Sequence, residues 1–187
     1  MWKTQHNTDN WEGERKMKPQ LKALMQIGII VRDLEKAVKC YQAMGIEPWE
    51  ISVMNNMIPP FDDLKFDGKR LKTKGDIIKT AMLQGYGLEI ELIEPIAEET
   101  AYYRWLEEHG PGIHHVAFDV NDGYETFLEK SKKLTGKEAW IHGEGIHGMM
   151  DFSYVDLREQ MGIIVECYKN VQSGKPYLIF DNNLSES

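Results

Sequence analysis

The chain has 187 residues, 42% of them hydrophobic, and 22 Lys and Arg against 30 Asp and Glu give a net charge of -8. That length can bury a full core as one domain or as two small fused modules, and the acidic balance argues against a nucleic-acid surface. Two cysteines, Cys40 and Cys167, are too few for a disulfide scaffold and read as small buried thiols in a reducing compartment.

Residues 1–20 are polar apart from Trp2 and Trp11 and read as an extension without the apolar segment of a signal peptide. No run of about 18 apolar residues is present, so no membrane span is expected and a cytoplasmic protein is the reading. Leu24 to Val31 is apolar and β-branched, which predicts a buried strand. Asp33 is a candidate N-cap for a helix over Leu34–Met44, with Gly45 as its stop. Leu34, Ala37, Tyr41 and Met44 fall on one face of it. A strand follows over Ile46–Val53, then a loop over Phe61–Gly75. Ile77–Gln84 and Leu88–Ile93 predict a hairpin that turns at Gly85-Tyr86-Gly87.

Glu98–His109 is amphipathic and helical, and Gly110-Pro111-Gly112 stops it. The pattern then recurs. Strand Ile113–Val120, helix Gly123–Leu134 and strand Glu138–His142 precede a glycine-rich loop that holds Glu144 and His147. Strands Asp151–Asp156 and Gly162–Tyr168 close the copy, and the tail after Asn170 is polar except for Tyr177-Leu178-Ile179-Phe180. The predicted fold is α+β: two tandem βαβββ modules forming a cupped mixed sheet. The expected divisions are an extension (1–20), a first module (21–96), a helical linker (97–111), a second module (112–170) and a tail (171–187).

The two copies open alike. Gln26-Ile27-Gly28-Ile29-Ile30-Val31 leads into Arg32-Asp33 and a helix, and His115-Val116-Ala117-Phe118-Asp119-Val120 leads into Asn121-Asp122 and a helix. Each copy has a glutamate on its last strand, Glu91 and Glu166. Alternation places Glu89, Glu91 and Ile93 on one face. Glu166 lies inside an apolar strand, where a carboxylate is costly unless paired or bound to a cation. Each residue alone has a plainer reading. Gln26 could be a hydrogen-bonding edge residue, His114 a turn histidine, His115 a satisfied core histidine, and Glu91 is ambiguous beside Glu89 and Glu94, which could be solvated. Agreement across both copies points instead to one site. One imidazole, two carboxylates and one amide oxygen suit a single divalent ion such as Zn, Co, Ni or Mn, with positions left for substrate.

These residues resemble the vicinal oxygen chelate superfamily of glyoxalase I, extradiol dioxygenases and methylmalonyl-CoA epimerase, over roughly Lys22 to Asn170. Leu92-Ile93-Glu94-Pro95, Trp105-Leu106-Glu107-Glu108-His109-Gly110 and Gly112-Ile113-His114-His115-Val116-Ala117-Phe118 look most like the epimerase. The resemblance implies Gln26, Glu91, His115 and Glu166 as metal ligands, a metal-stabilised enolate, and a swinging glutamate as base, Glu166 first and Glu91 second. Gln-Glu-His-Glu is nearer to some glyoxalase I sets than to the epimerase pattern, which usually has histidine first and glutamine second. The epimerase's further glutamate, ahead of the third strand of the first module, meets Gly75 and Asp76 here. Two histidines and one carboxylate, the dioxygenase set, are absent.

The leading reading is therefore a metal-dependent isomerase acting on an acyl thioester. The alternatives are a glyoxalase I-like lyase acting on a thiol adduct and a non-catalytic resistance-type binding protein. A small-molecule substrate and a possible homodimer are the expected partners. Lys65, Lys69, Arg70, Lys72 and Lys74 form a basic run that reads as a solvated loop face more readily than as a phosphate contact. The loop holding Glu144 and His147 is a candidate lid, or a plain turn with a surface histidine.

Overall fold

A computed structural model describes residues 21–170 except 22, 59–60, 63, 121–122 and 147–149. The N-terminal extension, the tail from 171 and His147 lie outside the described residues. The first copy runs β1 (Ala23–Ile30), α1 (Leu34–Ala43), β2 (Glu50–Asn55), a small hairpin β3 (Lys65–Phe66) and β4 (Lys69–Arg70), β5 (Asp76–Gly85) and β6 (Leu88–Pro95). Helix α2 (Ala101–His109) leads to the second copy: β7 (Gly112–Asp119), α3 (Tyr124–Thr135), β8 (Ile141–Ile146), β9 (Met150–Leu157), a short α4 (Arg158–Met161) and β10 (Ile163–Asn170). No described helix is long and apolar enough to cross a membrane.

One sheet holds all the described strands, in the order β2-β5-β6-β1-β7-β10-β9-β8-β3-β4. The halves mirror each other about the antiparallel β1–β7 pair, and each first strand lies parallel to the last strand of its own copy. Three apolar clusters hold the layers. α1 packs Leu34 and Val38 on Ala81 and Leu92, and α3 packs Tyr124 and Phe127 on Val155 and Val165. The largest cluster joins both copies, with Ile30, Ile78 and Ile93 meeting Tyr154, Ile164 and the α2 residues Tyr102 and Leu106. The two repeat helices thus cover one face of the sheet, and α2 covers the other.

Local chemistry explains most boundaries. Asp33 Oδ1 accepts from the Lys36 amide at 2.9 Å, and Gly45 adopts a φ of 78° beyond the end of α1. Thr100 caps α2 by accepting from the Tyr103 amide. The β5–β6 hairpin turns at Tyr86 and Gly87, both with positive φ.

Several expectations are corrected. Strand β2 starts at Glu50 and not at Ile46, because Pro48 offers no ladder N–H. Met44 is 80% exposed, and Val38 takes the inward place instead. The segment 61–75 is not all loop: β3 pairs with β8, so the first copy straps the far edge of the second. The basic run rides on this strap, with Lys69, Arg70, Lys72 and Lys74 exposed. Strand β8 begins at Ile141, leaves Glu138 outside and takes in Glu144. Cys40 is exposed, whereas Cys167 is buried as expected.

One irregularity occurs twice. Between β1 and β7 the pairing passes from Leu24↔Phe118 to Gln26↔Ala117, and from Gly28↔His115 to Ile29↔Ile113. Met25 and His114 are the extra residues of these two bulges. A bulge interrupts the in-out alternation of a strand, so Met25-Gln26 and His114-His115 are each buried as neighbours. The bulges occupy the same place in both copies.

Candidate metal centre

Two adjacent rungs of the sheet carry the four residues. On the first, Glu89 of β6 pairs with Gln26 of β1, Gln26 with Ala117 of β7, and Ala117 with Glu166 of β10. On the second, Glu91 pairs with Gly28 and Gly28 with His115. A Cβ on Gly28 would lie 1.9 Å from His115 Cε1. The bare backbone of Gly28 is therefore the floor on which the imidazole lies, between Glu91 and the Gln26–Glu166 rung.

The four side chains are buried and touch. His115 Nε2 lies 3.1 Å from Glu166 Oε2, 3.3 Å from Gln26 Oε1 and 3.6 Å from Glu91 Oε2. On the other side of the ring, His115 Nδ1 meets His114 Nδ1 at 3.0 Å. Burial, reinforced by the neighbouring His115, holds the His114 pKa down to about 2, so His114 is neutral. Burial is also the main cause that raises the Glu91 carboxyl well above the usual range, and the charges of Glu166 and Glu89 add to it.

The donors fit a divalent ion. Donors held at about 2.1 Å from one ion stand roughly 3.0–3.5 Å apart, close to the separations around His115 Nε2. Glu166 Oε2 is buried and has no hydrogen-bond partner among the described residues, and three acidic or amide oxygens face one nitrogen. Among the described residues no three His, Cys, Asp or Glu side chains form a ready-made metal shell, so the fit rests on this donor set and needs the Gln26 oxygen. A cavity of about 230 Å³ opens beside the set. Its polar end is Gln26, Glu89, Glu91, Glu166 and Tyr168, and Met54, Phe61, Leu64, Ile78 and Phe152 form its apolar wall.

A family model described as the Glyoxalase/Bleomycin resistance protein/Dioxygenase superfamily matches residues 25–147. The chain belongs to this superfamily. Solved structures of superfamily fold are similar to it. A Streptomyces coelicolor methylmalonyl-CoA epimerase variant in complex with 2-nitronate-propionyl-CoA is 22% identical, with 80% of this chain and 98% of that one covered and a TM-score of 0.53. A methylmalonyl-CoA epimerase in complex with methylmalonyl-CoA and NH4+ gives 20%, 84%, 99% and 0.54, and that of Mycobacterium tuberculosis gives 21%, 79%, 87% and 0.51. At these identities the likeness establishes the fold. The uncharacterized protein YqjC of Bacillus subtilis is 28% identical over 89 residues, 48% of this chain. The alignment spans 63% of that relative's length.

Within the superfamily fold, the candidate residues extend beyond those read from sequence. Glu89 is 7% exposed, not solvated, and accepts from the amides of Gln26 and Gln84. Its face was legible from strand alternation, but its burial was not. His114 sits in a cage of Tyr102, Trp105 and Trp140 at ring distances of 5.0–5.5 Å. It is a buried strand residue and not a turn histidine. Tyr168 donates to Gln26 Oε1 at 3.1 Å; alternation along the last strand puts it on the face of Glu166, but its bond to Gln26 is a contact across the sheet. Asp76 is exposed at the start of β5 and accepts from Asn55 Nδ2 at 2.8 Å. It is not among the cavity residues.

Proposed function

We propose that this chain is a divalent-metal-dependent enzyme of the epimerase type that moves a proton at a carbon beside a carbonyl. Gln26, Glu91, His115 and Glu166 would hold the ion, which supplies Lewis acidity toward a carbonyl oxygen as negative charge develops there. The observation that carries this reading is Glu166. Its Oε2 is buried without a hydrogen-bond partner among the described residues, stands 3.1 Å from His115 Nε2, and the residue borders the cavity. A carboxylate so placed reaches a carbon acid in the cavity and takes up its proton. Glu91, on the neighbouring rung, is the second candidate for that proton. The apolar wall of Met54, Phe61 and Leu64 holds an acyl substituent and keeps water from the reacting carbon.

A specific observation favours a second reading, a glyoxalase I-like lyase. The cavity presents Glu89, Glu91 and Glu166, and no Lys or Arg among the described residues lines it. A substrate with a free carboxylate at the reacting carbon meets like charge there. A thiol adduct that is neutral at that carbon does not.

Metal analysis and proton exchange test these readings. Stoichiometric Zn, Co, Ni or Mn is expected in the wild type and strongly reduced in Glu166→Gln and His115→Ala. A wild type purified without metal supports the non-catalytic binding protein. In D2O, loss of the C2 proton of methylmalonyl-CoA without turnover of the methylglyoxal–glutathione adduct selects the epimerase, and the reverse selects the lyase.

A further inference from the structure

Gln26 differs from the other candidate ligands in one chemical respect. A carboxylate offers two equivalent oxygens, but a glutamine amide offers an oxygen on one side and a donor on the other. Turned by 180°, Gln26 would face His115 Nε2 with N–H groups and ligate nothing. Something outside the residue must select one orientation.

The sheet supplies the selection. Gln84, Glu89 and Gln26 are direct register partners on β5, β6 and β1. Gln26 Nε2 donates to Glu89 Oε1, and Gln84 Nε2 donates to Glu89 Oε2. The opposite side of the Gln26 amide receives the Tyr168 hydroxyl at 3.1 Å and stands 3.3 Å from His115 Nε2. Both partners of Gln26 favour the same orientation: an acceptor on the nitrogen side and a donor on the oxygen side. Gln26 is 1% exposed, so both bonds form away from bulk solvent.

We infer that Glu89 is a positioning residue, which locks the Gln26 amide so that its oxygen joins Glu91, His115 and Glu166. Hydrogen bonds to a charged acceptor are about twice as strong as neutral ones, and Gln84 holds the second oxygen of Glu89 so that the acceptor itself does not turn. The inference rests on the reading of these four residues as a metal centre. It adds a fifth residue that never needs to touch the ion.

The test is Co2+ affinity of the metal-free full chain, measured by chelator competition and by the visible spectrum of the bound ion, with circular dichroism to verify folding. Glu89→Met removes both acceptors and should weaken Co2+ binding roughly 10–100-fold. Glu89→Gln keeps one acceptor oxygen for Gln26 and should restore part of the loss. The same Glu89→Met change in a Gln26→Glu background should leave affinity unchanged or raise it, since a carboxylate needs no orienting and is repelled by Glu89. A loss of equal size in both backgrounds overturns the inference, as does an unchanged affinity in the native one. A wild type that binds no Co2+ overturns the metal-centre reading itself, and this inference with it.

Discussion

The imidazole of His115 occupies the space that a side chain at Gly28 would need, with Cε1 only 1.9 Å from the position of a Cβ there. Gly28 and His115 are cross-strand partners at the joint of the two copies. The candidate ligand of one copy is therefore seated by a glycine of the other.

Gly28→Ala should cost about 1–3 kcal/mol, as other overpacked sites do, and should weaken divalent-metal binding by displacing the ring. Thermal melts with and without metal measure both effects. A variant with native stability and native metal affinity would show that His115 can occupy another position.

Glu91 gives a pH dependence of stability. Its pKa is raised in the fold, chiefly by burial, so the folded chain retains a proton that the unfolded chain has lost. The stability from this difference is full below the unfolded value near 4.5 and is lost as pH rises through the folded value. In chelator, Glu91→Gln should therefore melt higher than the wild type, by a margin that widens as pH rises above about 4.5. Saturating metal should reverse the order, because the ion uses the charge that Gln lacks. Paired melts across pH isolate Glu91 from the opposing effect of His114, whose lowered pKa destabilises the fold below about pH 6.5.

His114→Phe keeps the aromatic packing against Tyr102, Trp105 and Trp140 but removes the nitrogen 3.0 Å from His115 Nδ1. A buried ring nitrogen left without its partner costs about 1–3 kcal/mol, and loss of the group that orients a ligand histidine typically weakens metal binding about 10–100-fold. Isothermal titration with Zn2+ measures it. An unchanged affinity would assign His114 to packing alone.

Met54→Trp tests whether the cavity holds substrate. Met54 lines the apolar wall and is not among the side chains that meet His115. The substitution should raise KM roughly tenfold or more by filling the cavity, about the discrimination of one or two methylenes in an apolar pocket. Metal content should stay the same. A normal KM would place the substrate elsewhere.

The repeat and the order of the main strands and helices, the β3–β4 hairpin and α4 apart, are legible in the residues alone. Hydrophobic periodicity and capping chemistry are local, and Asp33, Thr100 and the Gly85-Tyr86-Gly87 turn act within a few residues of themselves. Alternation on β6 already placed Glu89 and Glu91 on one side. The repeat already paired Gln26 with His115. What those residues meet is set by the pairing and packing of distant strands. The bulges at Met25 and His114 arise from pairing between strands almost ninety positions apart, which breaks the alternation that a sequence reading assumes. They bury His114 beside His115. The strap of β3 on β8 is likewise a non-local pairing, and β3, with two residues, is too short to leave a period in sequence. Burial of Glu89, and its bonds to Gln26 and Gln84, depend on three strands lying in one register. A carboxylate on a strand face is solvated or buried according to what the opposite side of the cup places above it, and contacts of that range leave no local pattern.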